Sequence, residues 1–205
     1  MHDVTYTTFS WGPLLLKTHI GETVCNEILE IAKNSTLDSR ANLASVIKNV
    51  KTLDTKDSNI IFEKLHSYFM CFLDTQRKYL QDNSTMPEQI QYGNMWINFQ
   101  EAGEFNPPHR HSMDLSFIVC LDMPSEVIEE NKSYTGLSSG PGAISFHYGE
   151  MDKIQLHSHQ FLPLKGDMFL FPSTLRHTVF PFQSNATRIT LSGNIGYIYN
   201  KENTQ

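Results

Sequence analysis

No apolar run in the chain approaches the roughly 18 residues that a membrane-spanning helix needs, and no basic segment followed by a long apolar stretch opens it. Membrane insertion and secretion are therefore not expected. Cysteine is scarce: Cys25, Cys71 and Cys120 are widely spaced and set in apolar surroundings. That pattern suits reduced, buried thiols in a cytoplasmic setting better than a disulfide framework or zinc knuckle. Positive charge is also short. Lys and Arg number 16 against 22 Asp and Glu, the net charge is -6, and no basic stripe is present to follow a phosphate backbone. Nucleic acid is not an expected partner. Internal repeats and low-complexity linkers are missing too, so 205 residues with 40% apolar content are expected to form one domain, 1–205, with a sizeable core. Without secretion, the sequons at Asn34, Asn83, Asn131 and Asn185 read as polar turns in loops.

What the chain does contain changes in texture along its length. Over residues 22–33, Val24, Ile28, Ile31 and Ala32 share one helical face, and Asn34-Ser35-Thr36 ends the pattern. A second helix is expected from a cap at Asp57 or Ser58, with Ile61, Leu65, Tyr68, Phe69 and Phe72 forming a wide apolar stripe that packs rather than binds a cofactor. After about residue 90, short alternating runs separated by Gly, Pro, Asn and Ser predict strands near 92–100, 115–121, 143–147, 153–157, 168–171, 178–182 and 188–198. About seven short strands point to a mainly β fold with N-terminal helices (α+β), its core a jelly roll over 91–198 supported by a helical segment 1–90. The segment 124–142, rich in Glu, Ser and Gly, reads as a long loop over the barrel mouth, either a lid or a passive insertion.

Three histidines stand out. His109 and His111 are one residue apart, so in an extended segment both imidazoles project from one face and can reach one ion; the plain alternative is an ordinary surface or core pair. Downstream, an apolar run ends in Pro172-Ser173 and then His177, which could close the site. Arg188 then opens a strand in which Arg188, Thr190, Ser192 and Asn194 alternate with apolar or small residues. That polar face either meets solvent or grips a carboxylate through a planar guanidinium, and alternation does not choose between them. A second pair, His157 and His159, with His147 upstream, has metal-ligand spacing but no matching downstream partner; a surface or substrate-contacting hairpin is the expected role.

In their order, Trp96-Ile97-Asn98, Gly103, His109-Arg110-His111, Leu115-Ser116, Gly166-Asp167, Phe171-Pro172-Ser173, His177 and Arg188-Ile189-Thr190 through Asn194 resemble the double-stranded β-helix oxygenases that use Fe(II) and 2-oxoglutarate. The likeness is to the prolyl-hydroxylase-like type, especially the short members frequent in phages and marine microbes, and it spans roughly residues 92–196. It implies a cupin-like core, Fe(II), O2 and 2-oxoglutarate as cofactor and co-substrates, with ascorbate as an accessory. It also implies iron ligation by His109 and His177 with a third ligand at the position of His111, and a salt bridge from Arg188 to the far carboxylate of 2-oxoglutarate. Thr190 would assist, and Asn98 would either touch the co-substrate or make a structural hydrogen bond. Many relatives carry Asp or Glu where this chain has His111, so the third ligand is either His111 or Asp114; strand parity favours His111, because Asp114 points to the opposite face unless a bulge intervenes.

The implied reaction hydroxylates a protein side chain, proline among them, or a small molecule, with oxidative decarboxylation of 2-oxoglutarate to succinate and CO2. A phage-encoded enzyme acting in a host cytoplasm fits the same likeness. Two other readings stay open: a three-histidine, cupin-type dioxygenase independent of 2-oxoglutarate, which Arg188 argues against, and a jelly-roll binding or virion-associated module without activity.

Overall fold

The computed structural model describes residues 12–35, 37–38, 45–80, 87–149 and 157–199. In chain order these form β1 (Leu16–His19), α1 (Glu22–Asn34), β2 (Leu37–Asp38), β3 (Asn49–Thr52), α2 (Thr55–Leu80), β4 (Gln89–Gln100), β5 (Asn106–His109) and β6 (Leu115–Asp122). There follow α3 (Ser125–Ser133), β7 (Ile144–His147), β8 (Ser158–Phe161), β9 (Asp167–Pro172), β10 (Arg176–Val179) and β11 (Arg188–Ile198). Two antiparallel sheets result, one ordered β1-β9-β6-β11-β4-β3-β2 and the other β5-β10-β7-β8. This is the jelly-roll sandwich the strand pattern predicts.

Both faces of the larger sheet are covered, which explains why β6 reads as a continuous apolar run instead of an alternating one. Leu115, Phe117, Val119 and Leu121 pack outward against the helices, in one cluster with Ile28 of α1 and Ile61, Leu65, Phe69 and Phe72 of α2. Each such fully buried side chain contributes about 1.5–3 kcal/mol. The intervening Ile118 faces the other sheet and packs with Phe146, Phe169, Phe171, Leu175 and Val179. On β11 the same alternation has a different content: Ile189, Leu191 and Ile195 pack toward the helices, while Arg188, Thr190, Ser192 and Asn194 face the sandwich interior and are buried. One half of the space between the sheets is thus filled by aromatics, and the other is lined by polar groups. The polar face of β11 does not meet solvent.

Several local expectations are corrected. Helix α2 begins earlier than Asp57 or Ser58, because the Asp54 carboxylate accepts the Asp57 N–H at 2.8 Å and serves as the cap. The buried face of α1 runs through Cys25, Ile28, Leu29 and Ala32, with Val24 and Ile31 at its margins. Cys25 and Cys120 are buried thiols as expected, but Cys71 is exposed on α2. Asn34 and Asn131 lie in helices instead of loops, and Asn83 lies outside the described residues.

The expected strand at 153–157 falls almost wholly outside the described residues, and the following strand is β8. The segment 124–142 contains α3, fastened by the Glu130 carboxylate, which accepts the N–H groups of Gln183 and Ser184, each at 2.8 Å. Its end is tight as well: Gly142 has a φ of +71°, and a Cβ there would meet a Val127 methyl at 2.5 Å. A loose loop is not what this sequence forms. Among the described residues, no helix is long and apolar enough to cross a membrane.

Candidate metal and co-substrate site

His109 ends β5, and its register partner across the antiparallel pair is His177 near the start of β10. Both side chains enter the space between the sheets. His111 arrives differently, since β5 stops at His109 and His111 lies in the turn that follows. The parity expectation for His111 therefore rests on a strand that has already ended. A backbone hydrogen bond from His111 to the Ser173 carbonyl, 2.8 Å, draws this turn against the β9–β10 connection. A chain of side-chain hydrogen bonds, running from the buried Ser173 out to the exposed Asn94, backs it: Ser173 with Ser116 at 2.7 Å, Ser116 to Asn194 at 2.7 Å, and Asn194 to Asn94 at 2.8 Å. Sequence reasoning gave these four residues no role; Ser116, Ser173 and Asn194 did fall within the ordered motifs.

The result is a group of three ligand atoms, from His109, His111 and His177, all within 4.8 Å of one another. Among the described residues no carboxylate belongs to that group. Asp114 is directed elsewhere and accepts the Tyr197 N–H at 2.8 Å. The ring nitrogens are prepared for ligation. His109 Nδ1 lies 2.8 Å from the Pro107 carbonyl and His177 Nδ1 3.1 Å from the Leu175 carbonyl. A carbonyl only accepts, so in the neutral rings each Nδ1 carries the proton and each Nε2 keeps a lone pair.

Burial, with the charge of His109 second, pushes His177 down to about 3 and His111 down to about 4. His109 is lowered by burial too, against hydrogen bonds with the backbone of Pro107 and His177 that raise it. Three ordinary imidazoles would lose roughly 50-fold in metal affinity between pH 7.5 and pH 6 through proton competition. Here the change over that interval is expected to be about twofold or less, measurable by cobalt titration in the visible; a steep loss would show that the imidazoles titrate normally. Stability has the same sign: folded values below the unfolded one of about 6.5 mean that the contribution of these rings is present above that pH and is lost as pH falls toward 4 and then 3.

The histidines line one part of a cavity of about 160 Å³, and Arg188, Thr190, Ser192 and Asn98 line another. Arg188 is 2% exposed. Its Nη1 donates to the Gly142 carbonyl at 2.6 Å, its Nε has no partner, and burial lowers its pKa. Asn98 donates weakly to Thr190 and Ser192, at 3.3 and 3.5 Å, and its carbonyl oxygen is also without a partner. Buried polar groups left unpaired are rare and costly. A divalent metal at the imidazoles and a dicarboxylate reaching the guanidinium would answer both halves of this cavity, so the residues present fit iron and 2-oxoglutarate.

The remaining wall comes from Ser45, Ile47 and Trp96, the last with its ring 5.5 Å from His111. Ser45 and Ile47 belong to the N-terminal segment and were not anticipated. The pair His157 and His159, with His147, lines a separate groove beside Tyr148. Among the described residues these three form no group able to hold an ion.

Two antiparallel sheets closed over a ligand-sized cavity make a double-stranded β-helix. Solved structures agree on the fold. A viral collagen prolyl hydroxylase from Paramecium Bursaria Chlorella virus-1, in complex with 2-oxoglutarate, superimposes with a TM-score of 0.56 at 14% identity, covering 88% of this chain and 94% of that one. A Pseudomonas putida prolyl-4-hydroxylase gives 0.52 at 14% identity, with 87% and 90% covered. A Trichoplax adhaerens prolyl hydroxylase, solved with a hypoxia inducible factor oxygen degradation domain peptide fragment, gives 0.57 at 14% identity, with 94% and 86% covered. No curated protein sequence matches the chain.

Residues 94–194, which carry every candidate ligand, match the family described as "Putative 2OG-Fe(II) oxygenase". That match and the shared fold mark the chain as a 2-oxoglutarate-dependent dioxygenase, whose cofactor is Fe(II) and whose co-substrates are 2-oxoglutarate and O2.

Proposed function

We propose that the protein hydroxylates a protein side chain, holding iron through His109, His111 and His177 and 2-oxoglutarate through Arg188, with Thr190 and Asn98 beside it. The observation that carries this reading is the buried Arg188 guanidinium, which among the described residues has one acceptor, an unpartnered Nε and no carboxylate to balance it. A charge buried in that state is costly unless a ligand completes it. It also argues against a dioxygenase that dispenses with 2-oxoglutarate.

Bound in this cavity, iron and 2-oxoglutarate supply oxidation of a C–H bond coupled to release of succinate and CO2. The residues of the chain do the rest. The carbonyls of Pro107 and Leu175 fix His109 and His177 in one tautomer, and the Ser173 carbonyl sets the turn that carries His111. Three neutral imidazoles bring no negative charge, so a bound dicarboxylate would supply the negative charge that balances the positive metal. Arg188 would hold its far carboxylate. Ile118, Phe171 and Val179 complete the cavity with apolar surface that excludes water.

No side-chain base is needed, and none of the described residues lining the cavity is an acid. A peptidyl substrate, proline foremost, is supported by the prolyl hydroxylases that share the fold, one of them solved with a peptide. The 205 residues act as one domain in this reading. Incubation with Fe(II), ascorbate, 2-oxoglutarate and cell-lysate protein should yield succinate together with peptides heavier by one oxygen atom. Succinate with no oxygenated peptide would move the substrate to small molecules, and bound iron with no succinate would defeat the reading.

A further inference from the structure

Two arginines flank the candidate ligands, and neither has a carboxylate partner among the described residues. Arg110 follows His109 where β5 ends, and Arg176 precedes His177 on β10. Arg110 lies one residue past the His109–His177 register pair, just beyond the end of β5. Both arginines are exposed, and among the described residues neither makes an ion pair or side-chain hydrogen bond. Two like charges on one hollow repel and favour an anion between them.

The two guanidiniums line a hollow of about 300 Å³ with Pro13, His147, Tyr148 and Leu175, and among the described residues no Asp or Glu contributes to its wall. Arg110 also lines the metal cavity, so hollow and cavity meet at its side chain. His147 is the cross-strand partner of Arg176. Burial, followed by the charges of His157 and Arg176, lowers its pKa. On the far side Pro13, His147, Tyr148 and Leu175 are shared with the adjoining groove of His157 and His159. A run from the metal cavity past Arg110 to His159 suits an extended chain better than a compact metabolite.

We infer that Arg110 and Arg176 form the anion-recognition subsite for an acidic peptide substrate, one carboxylate docking between the guanidiniums while the residue to be oxidised enters the metal cavity. This rests on the hydroxylase reading above. The guanidinium fork matches a carboxylate, an anion between the forks removes their repulsion, and a local positive patch on a chain of net charge -6 steers acidic segments to the cavity mouth.

The test uses the full chain loaded anaerobically with Mn(II) and 2-oxoglutarate, and short fluorescent peptide pools of degenerate sequence enriched in Glu and Asp, in Gln and Asn, or in Lys. The acidic pool should bind about ten- to a hundredfold more tightly than the neutral one, as expected for charge-assisted hydrogen bonds, and R110Q/R176Q should erase that preference while keeping metal and 2-oxoglutarate. Equal binding of the pools, or a preference that survives R110Q/R176Q, overturns the subsite. Because the pools are compared on the wild type, that comparison decides even where the double substitution disturbs the adjacent ligands. Inorganic phosphate and free glutamate are the small-anion probes; either binding as tightly as the acidic pool overturns the peptide assignment. Metal and 2-oxoglutarate binding are read first in the same samples. Failure there defeats the hydroxylase reading, whereas intact co-substrate binding without acid preference defeats this subsite alone.

Discussion

Replacing Arg188 with Met is expected to remove 2-oxoglutarate binding, leave metal binding intact, and leave the metal-free protein no less stable than the wild type. Truncating one partner of a buried, hydrogen-bonded charge pair costs about 2–5 kcal/mol, which is roughly 30- to 5,000-fold in affinity. The third part of the expectation separates a ligand-binding role from a structural one. A structural buried arginine is paired, and its loss destabilises strongly; Arg188 has only the Gly142 carbonyl. Removing an uncompensated buried charge is often neutral or stabilising. His177→Ala should behave in the opposite way, losing metal by about 100-fold or more, since even residues that merely orient a ligand are worth 10- to 100-fold. Calorimetric titration of each variant with Mn(II) and then 2-oxoglutarate, with a thermal melt beside it, reads all three quantities. If the two variants behave alike, the division of roles between imidazoles and guanidinium is wrong.

The second large effect concerns the third ligand. His111→Ala should weaken metal binding by about 100-fold or more, whereas Asp114→Asn should change it by about threefold or less. Asp114 Oδ2 is occupied by the Tyr197 N–H, so its substitution should instead cost about 0.5–1.5 kcal/mol of stability. Metal affinity by chelator competition and stability by urea titration separate the two columns of effect. Loss of metal in Asp114→Asn with retention in His111→Ala would restore a carboxylate to the site and refute the all-histidine arrangement.

The strands from β4 to β11 were readable mainly where alternation and turn residues coincide, as at Gln89–Gln100 and Arg188–Ile198. The helix α3 was not readable, because Val127 is its one fully buried residue and its anchor is the distant contact of Glu130 with Gln183 and Ser184. Strand β5 carries Pro107 and Pro108 and holds its place as an edge strand of the smaller sheet, where missing N–H groups are tolerated. His109, His177 and Arg188 were found by order and spacing, and the structure brings them to one cavity. His111 was chosen by strand parity, yet it reaches the cavity through a turn held by Ser173, a long-range contact that spacing cannot reveal. The polar face of β11 was ambiguous for a related reason. Alternation says that two faces differ; only the second sheet packed over it makes the polar one an interior.

One cavity is expected to bind iron at the imidazoles and 2-oxoglutarate at Arg188 together. Anaerobic protein given Fe(II) and then 2-oxoglutarate should develop a visible metal-to-ligand charge-transfer band at one iron per chain. No band should form in His177→Ala, where iron is lost, or in Arg188→Met at the same 2-oxoglutarate concentration. Iron bound by the wild type with no band on adding 2-oxoglutarate would contradict that expectation.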